Sequence, residues 1–266
     1  MDDRPIGVFD SGLGGLTTVR ELCRLLPEED IVYFGDTGRV PYGSRSRETI
    51  VKYARQDVAF LRTFDLKTIV IACGTVSTTA LDVLAAENPI PVLGVVGAAA
   101  RATRSGSIGL IGTQASIRSG AYERLIRAEN PAARVLAQPC PLFVPLVENG
   151  RFRPGDVVIE TVAAEYLAPL KEAGVDTLVL GCTHYPLLEK VIGAYMGPEV
   201  RLINSGAEGA RAAADCLRER DALAGPGRGS CRCFVSDRQE DFSRLASTFL
   251  GWDVAQAVEQ VDISQY

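Results

Sequence analysis

The sequence predicts an α/β protein of two similar domains, each a mostly parallel sheet flanked by helices, with the active-site cleft between them. Short aliphatic runs alternate with helical patterns from end to end, which is the rhythm of βαβ units. Two of these runs are nearly the same: Thr68-Ile69-Val70-Ile71-Ala72-Cys73-Gly74-Thr75 and Thr177-Leu178-Val179-Leu180-Gly181-Cys182-Thr183-His184. Ile6 stands 102 residues before Ile108 and Cys73 stands 109 before Cys182, so two halves repeat at similar spacing.

The elements follow in order. Ile6 to Phe9 is a strand that runs into Asp10 and a glycine turn, and Leu16 to Leu26 is a helix closed by Pro27. Ile31 to Phe34 is the next strand and Ser46 to Phe64 a long helix. Thr68 to Ala72 is a strand, Thr78 to Ala86 a helix, and Val92 to Val96 a strand. The second series has strands at Ser107 to Gly112 and Val135 to Pro139, with a helix from Ala115 to Glu129 between them. It continues through a helix from Val157 to Ala173 to the strand Thr177 to Gly181. β-Branched and aliphatic runs of this length suit strands buried on both faces, as in a parallel sheet.

The tail holds a helix from Ala207 to Arg220, a glycine loop from Gly225 to Gly229 and a strand from Arg232 to Val235. This unit packs back onto the first half and makes it discontinuous. The expected domains are 1–97 plus 208–266, carrying Asp10 and Cys73, and 98–207, carrying Cys182 and His184. A hinge is expected near Gly97 to Ser107.

Bulk properties remove several function classes. A formal charge of −5 argues against a nucleic-acid or anionic-membrane surface, where a basic patch is expected. The longest apolar stretch, around Val92 to Ala100, is broken by glycine and too short to span a bilayer. Met1 to Pro5 is polar, so no signal peptide is expected and the cytoplasm is the expected location. Seven cysteines at scattered spacing make no disulfide framework, and a chain with one histidine offers no zinc motif. No metal and no cofactor are expected. Cys23, Cys140, Cys216, Cys231 and Cys233 are taken as small buried residues.

Conventional hydrolytic chemistry fits poorly, since there is no G-x-S-x-G elbow and a triad would have to use His184, leaving Cys73 and Asp10 unexplained. None of the four lysines lies where a pyridoxal enzyme would need one. Cys73 and Cys182 each sit at the carboxyl end of a strand, where such sheets carry their functional groups. A thiol beside a helix N-terminus has its thiolate stabilised, so its pKa is expected to fall from about 8.5 toward neutrality. His184 lies two residues beyond Cys182. Asp10-Ser11-Gly12-Leu13-Gly14-Gly15 fails the dinucleotide pattern, because Thr17 occupies the third glycine position, but it puts an Asp-Ser pair at a strand end. Two thiols on facing half-domains suit removal of a proton α to a carboxylate on one face and its return on the other. Each thiol then alternates between base and acid.

These motifs together resemble glutamate racemase, of the aspartate/glutamate racemase family, over essentially the whole chain. The resemblance is carried by Phe9-Asp10-Ser11-Gly12-Leu13-Gly14-Gly15, by Gly35-Asp36-Thr37 with Pro41-Tyr42-Gly43, and by Ala72-Cys73. It continues through Cys140-Pro141 with Val144-Pro145-Leu146-Val147-Glu148, Gly181-Cys182-Thr183-His184-Tyr185-Pro186-Leu187-Leu188 and Asn204-Ser205-Gly206. It implies cofactor-independent interconversion of L- and D-glutamate, supplying D-glutamate for peptidoglycan synthesis, in a homodimer. Cys73 would exchange the proton of the D-enantiomer with help from Asp10. Cys182 would exchange that of the L-enantiomer with help from His184 and Glu148. Ser11, Pro41, Tyr42, Gly43, Gly74, Thr75, Thr183 and His184 would hold the substrate.

One position departs from the family. Cys73-Gly74-Thr75-Val76 stands where the family usually has Cys-Asn-Thr-Ala. A lost neutral hydrogen bond is worth about 0.5–1.5 kcal/mol, so weaker or rearranged binding is expected, with Gly74→Asn lowering KM. Racemisation of aspartate or another acidic amino acid on the same fold is the alternative. A non-catalytic amino-acid binding protein is a third possibility, against which both retained thiols speak.

Overall fold

Two parallel sheets stand with the ends of their strands at one cleft. The computed structural model describes residues 1–104, 106–252 and 258–266. The first half runs β1 (Ile6–Asp10), α1 (Leu16–Leu25), β2 (Ile31–Gly35), α2 (Arg47–Leu61), β3 (Thr68–Ile71), α3 (Gly74–Thr79), α4 (Leu81–Glu87) and β4 (Val92–Gly94). Helix α5 (Val95–Ala102) leads to β5 (Ser107–Gly112), α6 (Gln114–Arg118), α7 (Ala121–Glu129), β6 (Arg134–Pro139) and α8 (Phe143–Glu148). There follow α9 (Val157–Glu172), β7 (Thr177–Leu180), α10 (Glu189–Met196) and β8 (Arg201–Asn204). Helix α11 (Ser205–Glu219) returns to the first half, which ends with β9 (Cys231–Val235), α12 (Gln239–Leu250) and β10 (Val258–Gln260).

The first sheet has the order β10-β9-β2-β1-β3-β4 and the second β6-β5-β7-β8. The series β2-β1-β3-β4 therefore repeats as β6-β5-β7-β8. Register repeats too: Ile6 lies opposite Thr68, and Ile108 opposite Thr177. The two thiol-bearing segments are thus equivalent in topology as well as in sequence. Their strands are buried along their whole length, as the aliphatic runs require.

Helix α11 joins the halves by packing on α1 and α5. It buries Ala210, Ala213, Ala214 and Leu217, and small residues let the helices approach closely. A Cβ at Gly209 would stand 2.6 Å from Val95 Cγ1, and one at Gly206 2.5 Å from Thr18 Oγ1.

Several expected elements change. Val95 and Val96, expected to continue the strand from Val92, begin α5, where the Val95 N–H is taken by Ser77 Oγ at 3.3 Å. The expected hinge from Gly97 to Ser107 is therefore largely helix, with Ser105 outside the described residues. The helix expected from Ala115 to Glu129 is broken at Gly120, whose φ of +62° lies in the left-handed region. The helix expected from Thr78 starts at Gly74 and is interrupted at Ala80. Helices α8, α10 and α12 and strands β8 and β10 had no counterpart in the expected pattern. Both expected domain boundaries fall inside helices, α5 and α11.

Candidate active site

Between the two sheets lies a cavity of about 400 Å³, walled by the turns that leave the carboxyl ends of their strands. From the first half come Ser11 after β1, the segment Val40 to Ser44 beyond β2, and Cys73, Gly74 and Thr75 after β3. The second half supplies Thr113 and Gln114 after β5, Cys140 and Pro141 after β6, and Gly181 to His184 after β7. Val144, Pro145 and Glu148 on α8 complete one side. Every residue expected at the site thus lines the cavity except Asp10, which lies one layer behind the wall, 1% exposed.

Asp10 is held by backbone and side-chain donors. Gly12 N–H donates to its Oδ2 at 3.1 Å, and Thr183 Oγ1 donates to Oδ1 at 3.4 Å. The second contact reaches across the cleft and ties the first half to the residue that follows Cys182. Burial raises the Asp10 pKa, opposed by the charge of His184 and by the Gly15 and Gly12 N–H groups.

Cys73 is buried, and Ser11 Oγ lies 3.5 Å from its sulfur. Burial, reinforced by the negative Asp10, pushes its pKa up to about 12. This corrects the expectation of a thiol tuned toward neutrality. Cys73 is the N-cap residue of α3, but that helix has only six residues, and desolvation outweighs it. In the ligand-free protein Cys73 holds its proton.

Cys182 has different neighbours. Its sulfur lies 3.8 Å from His184 Nδ1, and His184 Nε2 lies 2.9 Å from Glu148 Oε1. Burial works against charging the imidazole, but the contacts with Cys182 and Glu148 outweigh it and raise the His184 pKa to about 10. Charged, the ring turns one N–H toward the sulfur and the other toward the carboxylate. Room for it comes from Gly14, where a Cβ would stand 2.3 Å from Thr183 Oγ1 and 2.5 Å from His184 Nδ1.

Tyr42 is almost wholly buried, and its hydroxyl donates to Asp36, away from the cavity. It meets the cleft through its other atoms, beside Pro41 (joined to Val40 by a cis bond) and Gly43. Thr75 Oγ1 lies 3.0 Å from Thr113 Oγ1, so hydroxyls from the two halves meet across the floor. No lysine or arginine lines the cavity among the described residues. A bound carboxylate would therefore be met by hydroxyls, backbone N–H groups and the imidazolium. Among the described residues no group of three or more His, Cys, Asp or Glu could hold a metal ion.

Thr113 and Gln114 were missed by sequence reasoning, although a signal for them was present. The 102-residue offset that pairs Ile6 with Ile108 also pairs Ser11 with Thr113. Cys140 is buried, as expected of a packing residue, yet it stands in the cavity wall. Burial raises its pKa, so it is a neutral thiol there.

The profile of the Asp/Glu/hydantoin racemase family matches residues 9–213. A glutamate racemase of Geobacter metallireducens is 48% identical over 256 residues, covering 94% of each chain. Two solved structures superpose over the full length of both chains. One is a Francisella tularensis glutamate racemase in complex with D-glutamate, at TM-score 0.93 and 38% identity. The other is a Thermus thermophilus glutamate racemase in complex with β-chloro-D-alanine, at TM-score 0.90 and 43% identity. A Picrophilus torridus aspartate racemase, at TM-score 0.55 and 17% identity, shares the fold.

Proposed function

The chain belongs to the Asp/Glu/hydantoin racemase family, and from that premise we propose that it interconverts L-glutamate and D-glutamate by proton transfer between two thiols. One observation carries this reading: Cys73 and Cys182 leave equivalent strands of two repeated sheets and line one cavity from its two sides.

In the L-to-D direction, the Cys182 thiolate takes the α-proton and becomes a thiol. The electron pair left on the α-carbon is delocalised into the carboxylate. Cys73 then gives its proton to the opposite face and becomes a thiolate. The reverse direction exchanges the roles. A Cys73 that holds its proton in the free protein suits the form that receives L-glutamate. His184, steered by Glu148, steadies charge on Cys182, and Asp10, from one layer behind the wall, assists Cys73 through its charge. Ser11, Thr75, Thr183 and the segment Pro41-Tyr42-Gly43 hold the carboxylates, with Gly74 leaving its backbone open at the floor. A Cys73 thiol closer to neutrality arises on binding, when the substrate ammonium enters the cavity in front of Asp10 and offsets the charge that, with burial, holds this pKa up.

We assign the domains as 1–97 with 208–266 and 98–207, the division between the two sheets. The remaining expectations belong to this reading: a homodimer acting in the cytoplasm, supplying D-glutamate for peptidoglycan. Among the described residues no helix is long and apolar enough to cross a membrane. A glutamate racemase of known structure at full coverage supports glutamate over aspartate, for which the likeness extends to the fold alone.

The test is racemisation of L- and D-glutamate in D2O without added cofactor, by wild type, Cys73→Ala and Cys182→Ala. Wild type is expected to racemise with deuterium incorporated at the α-carbon, and both variants to lose racemisation. Full activity in either variant, or a preference for aspartate, defeats the assignment.

A further inference from the structure

Under the loop that brings Pro41 and Gly43 to the cleft lies a polar cluster that the two-thiol chemistry does not use. Asp36, just beyond β2, and Asp57, on α2, are both wholly buried. Between them stand the Tyr42 hydroxyl and the Arg39 guanidinium, which lies 4.2 Å from the centre of the Tyr53 ring. Arg39 donates from Nε to Asp36 Oδ2 at 2.6 Å and from Nη2 to Asp57 Oδ1 at 2.8 Å. Its Nη1 donates to Gln56 Oε1 at 2.5 Å. Ser236 Oγ, beyond β9, donates to Asp36 Oδ1 at 2.7 Å and accepts the Gly38 N–H at 2.8 Å.

The protons in this cluster can be counted. Tyr42 has one hydroxyl proton, and its very short contact is with Asp36 Oδ2. Asp57 Oδ2 lies 3.1 Å from the same hydroxyl oxygen. A single proton directed at Asp36 is not available to Asp57, and two acceptor-only carboxylates leave the second contact without a hydrogen. The geometry closes if Asp57 is protonated and donates to the Tyr42 oxygen. Charge points the same way. Among the described residues Arg39 is the one cation paired with these carboxylates, so two ionised carboxylates would leave a net buried negative charge. Asp10, on β1, adds a further negative neighbour, while a main-chain oxygen of Tyr266 accepts from Gln56 Nε2 at 3.4 Å. Burial, then Asp36, pushes the Asp57 carboxyl well above the usual carboxylate range.

We propose that Asp57 is a positioning residue held in its neutral acid form, whose O–H to Tyr42 fixes the Val40 to Ser44 segment as a wall of the substrate site. This rests on the reading that the cleft binds glutamate. Hydrogen bonds then run from Asp57 to Tyr42 to Asp36, and Arg39 is balanced by Asp36 alone. Asp57 touches no substrate and acts only through the loop.

The proposal separates two variants that a merely structural role would not. In Asp57→Asn the amide keeps an oxygen for Arg39 and an N–H for Tyr42, so it copies the neutral acid. Asp57→Ala keeps neither. For D-glutamate, Asp57→Asn is expected to hold KM and kcat within about threefold of wild type, while Asp57→Ala raises KM about tenfold with kcat little changed. The infrared difference between wild type and Asp57→Asn at neutral pH is expected to show a carboxylic-acid C=O band. A KM in Asp57→Asn raised as far as in Asp57→Ala, or a carboxylate band in place of the acid band, overturns it. If Asp57→Ala does not fold, the asparagine variant and the infrared band decide. Failure of wild type to racemise glutamate would defeat the functional reading instead, and the band would still report the Asp57 proton.

Discussion

Gly74 and Gly181 meet across the floor of the cleft: a Cβ built on Gly74 would lie 2.5 Å from the Gly181 carbonyl oxygen. These residues adjoin the two thiols, Gly74 following Cys73 and Gly181 preceding Cys182. The chain segments carrying the thiols are therefore as close as bare backbones allow. The obstacle is backbone, which cannot swing aside as a flexible side chain can.

This contact reverses the expectation that Gly74→Asn lowers KM. The new side chain must first push the β3–α3 turn away from Gly181. Overpacking of this kind costs about 1–3 kcal/mol. Because the strain falls where the two thiol-bearing segments meet at the cavity floor, Gly74→Asn is expected to raise KM for glutamate about tenfold, which steady-state racemisation reads. A lowered KM would mean that the sheet ends part without cost.

Gly14 acts on the chemistry from outside the cavity. A Cβ there meets Thr183 Oγ1 and His184 Nδ1 at once, so Gly14→Ala must displace the imidazole from Cys182. Misplacing a reacting group by about 1 Å can cost about 10²-fold in rate. Gly14→Ala is expected to lower kcat by that order with an unchanged circular dichroism spectrum. A near-normal kcat would show that His184 need not stand where it does.

His184 also sets a pH dependence. Its pKa is 6.5 in the ordinary case and about 10 in the folded chain. Its contribution to stability is thus full below pH 6.5 and lost as the pH rises through about 10. The melting temperature of wild type is expected to exceed that of His184→Gln most at the acid end of this window, the gap closing toward its alkaline end. Glu148 is 35% exposed on its side chain, so salt narrows the gap as well. A gap that widens with pH would refute the charged imidazole.

Most sheet strands were legible as short aliphatic runs, and the repeat Thr68 to Thr75 against Thr177 to His184 located both thiols, whereas β8 and β10, short and largely unburied, gave no such signal. What escaped depends on contacts between distant segments. Val95 starts a helix because Ser77, on α3, caps its N–H. Thr113 was within reach through the offset that finds Ile108, but no motif marks it. The high pKa of Cys73 comes from burial and from Asp10, a combination that strand ends alone do not reveal. Asp57 sits in a helix of ordinary composition, and its role depends on Tyr42, fifteen residues earlier.

At the opposite end of the first sheet from the cleft, Lys67 and Glu29 form an ion pair with side chains 1% and 2% exposed. Lys67 Nζ also donates to the carbonyls of Asp2 at 2.7 Å and Ala222 at 3.0 Å, while Glu29 Oε1 accepts the Ala224 N–H at 2.8 Å. The pair clips the N-terminal segment and the chain beyond α11 to the start of β3. Removing one partner of a buried pair costs about 3–5 kcal/mol, because the other charge stays buried without compensation. Lys67→Met is expected to lower stability by that amount, and the double variant Lys67→Met with Glu29→Gln to recover part of it, since the amide can still accept from Ala224. Denaturant unfolding of the three proteins measures both steps. With the site more than a sheet's length of strand away, kcat of the folded variants is expected to stay at the wild-type value. A double variant no more stable than Lys67→Met would mean that the Asp2 and Ala222 carbonyls, not the unpaired carboxylate, carry the loss.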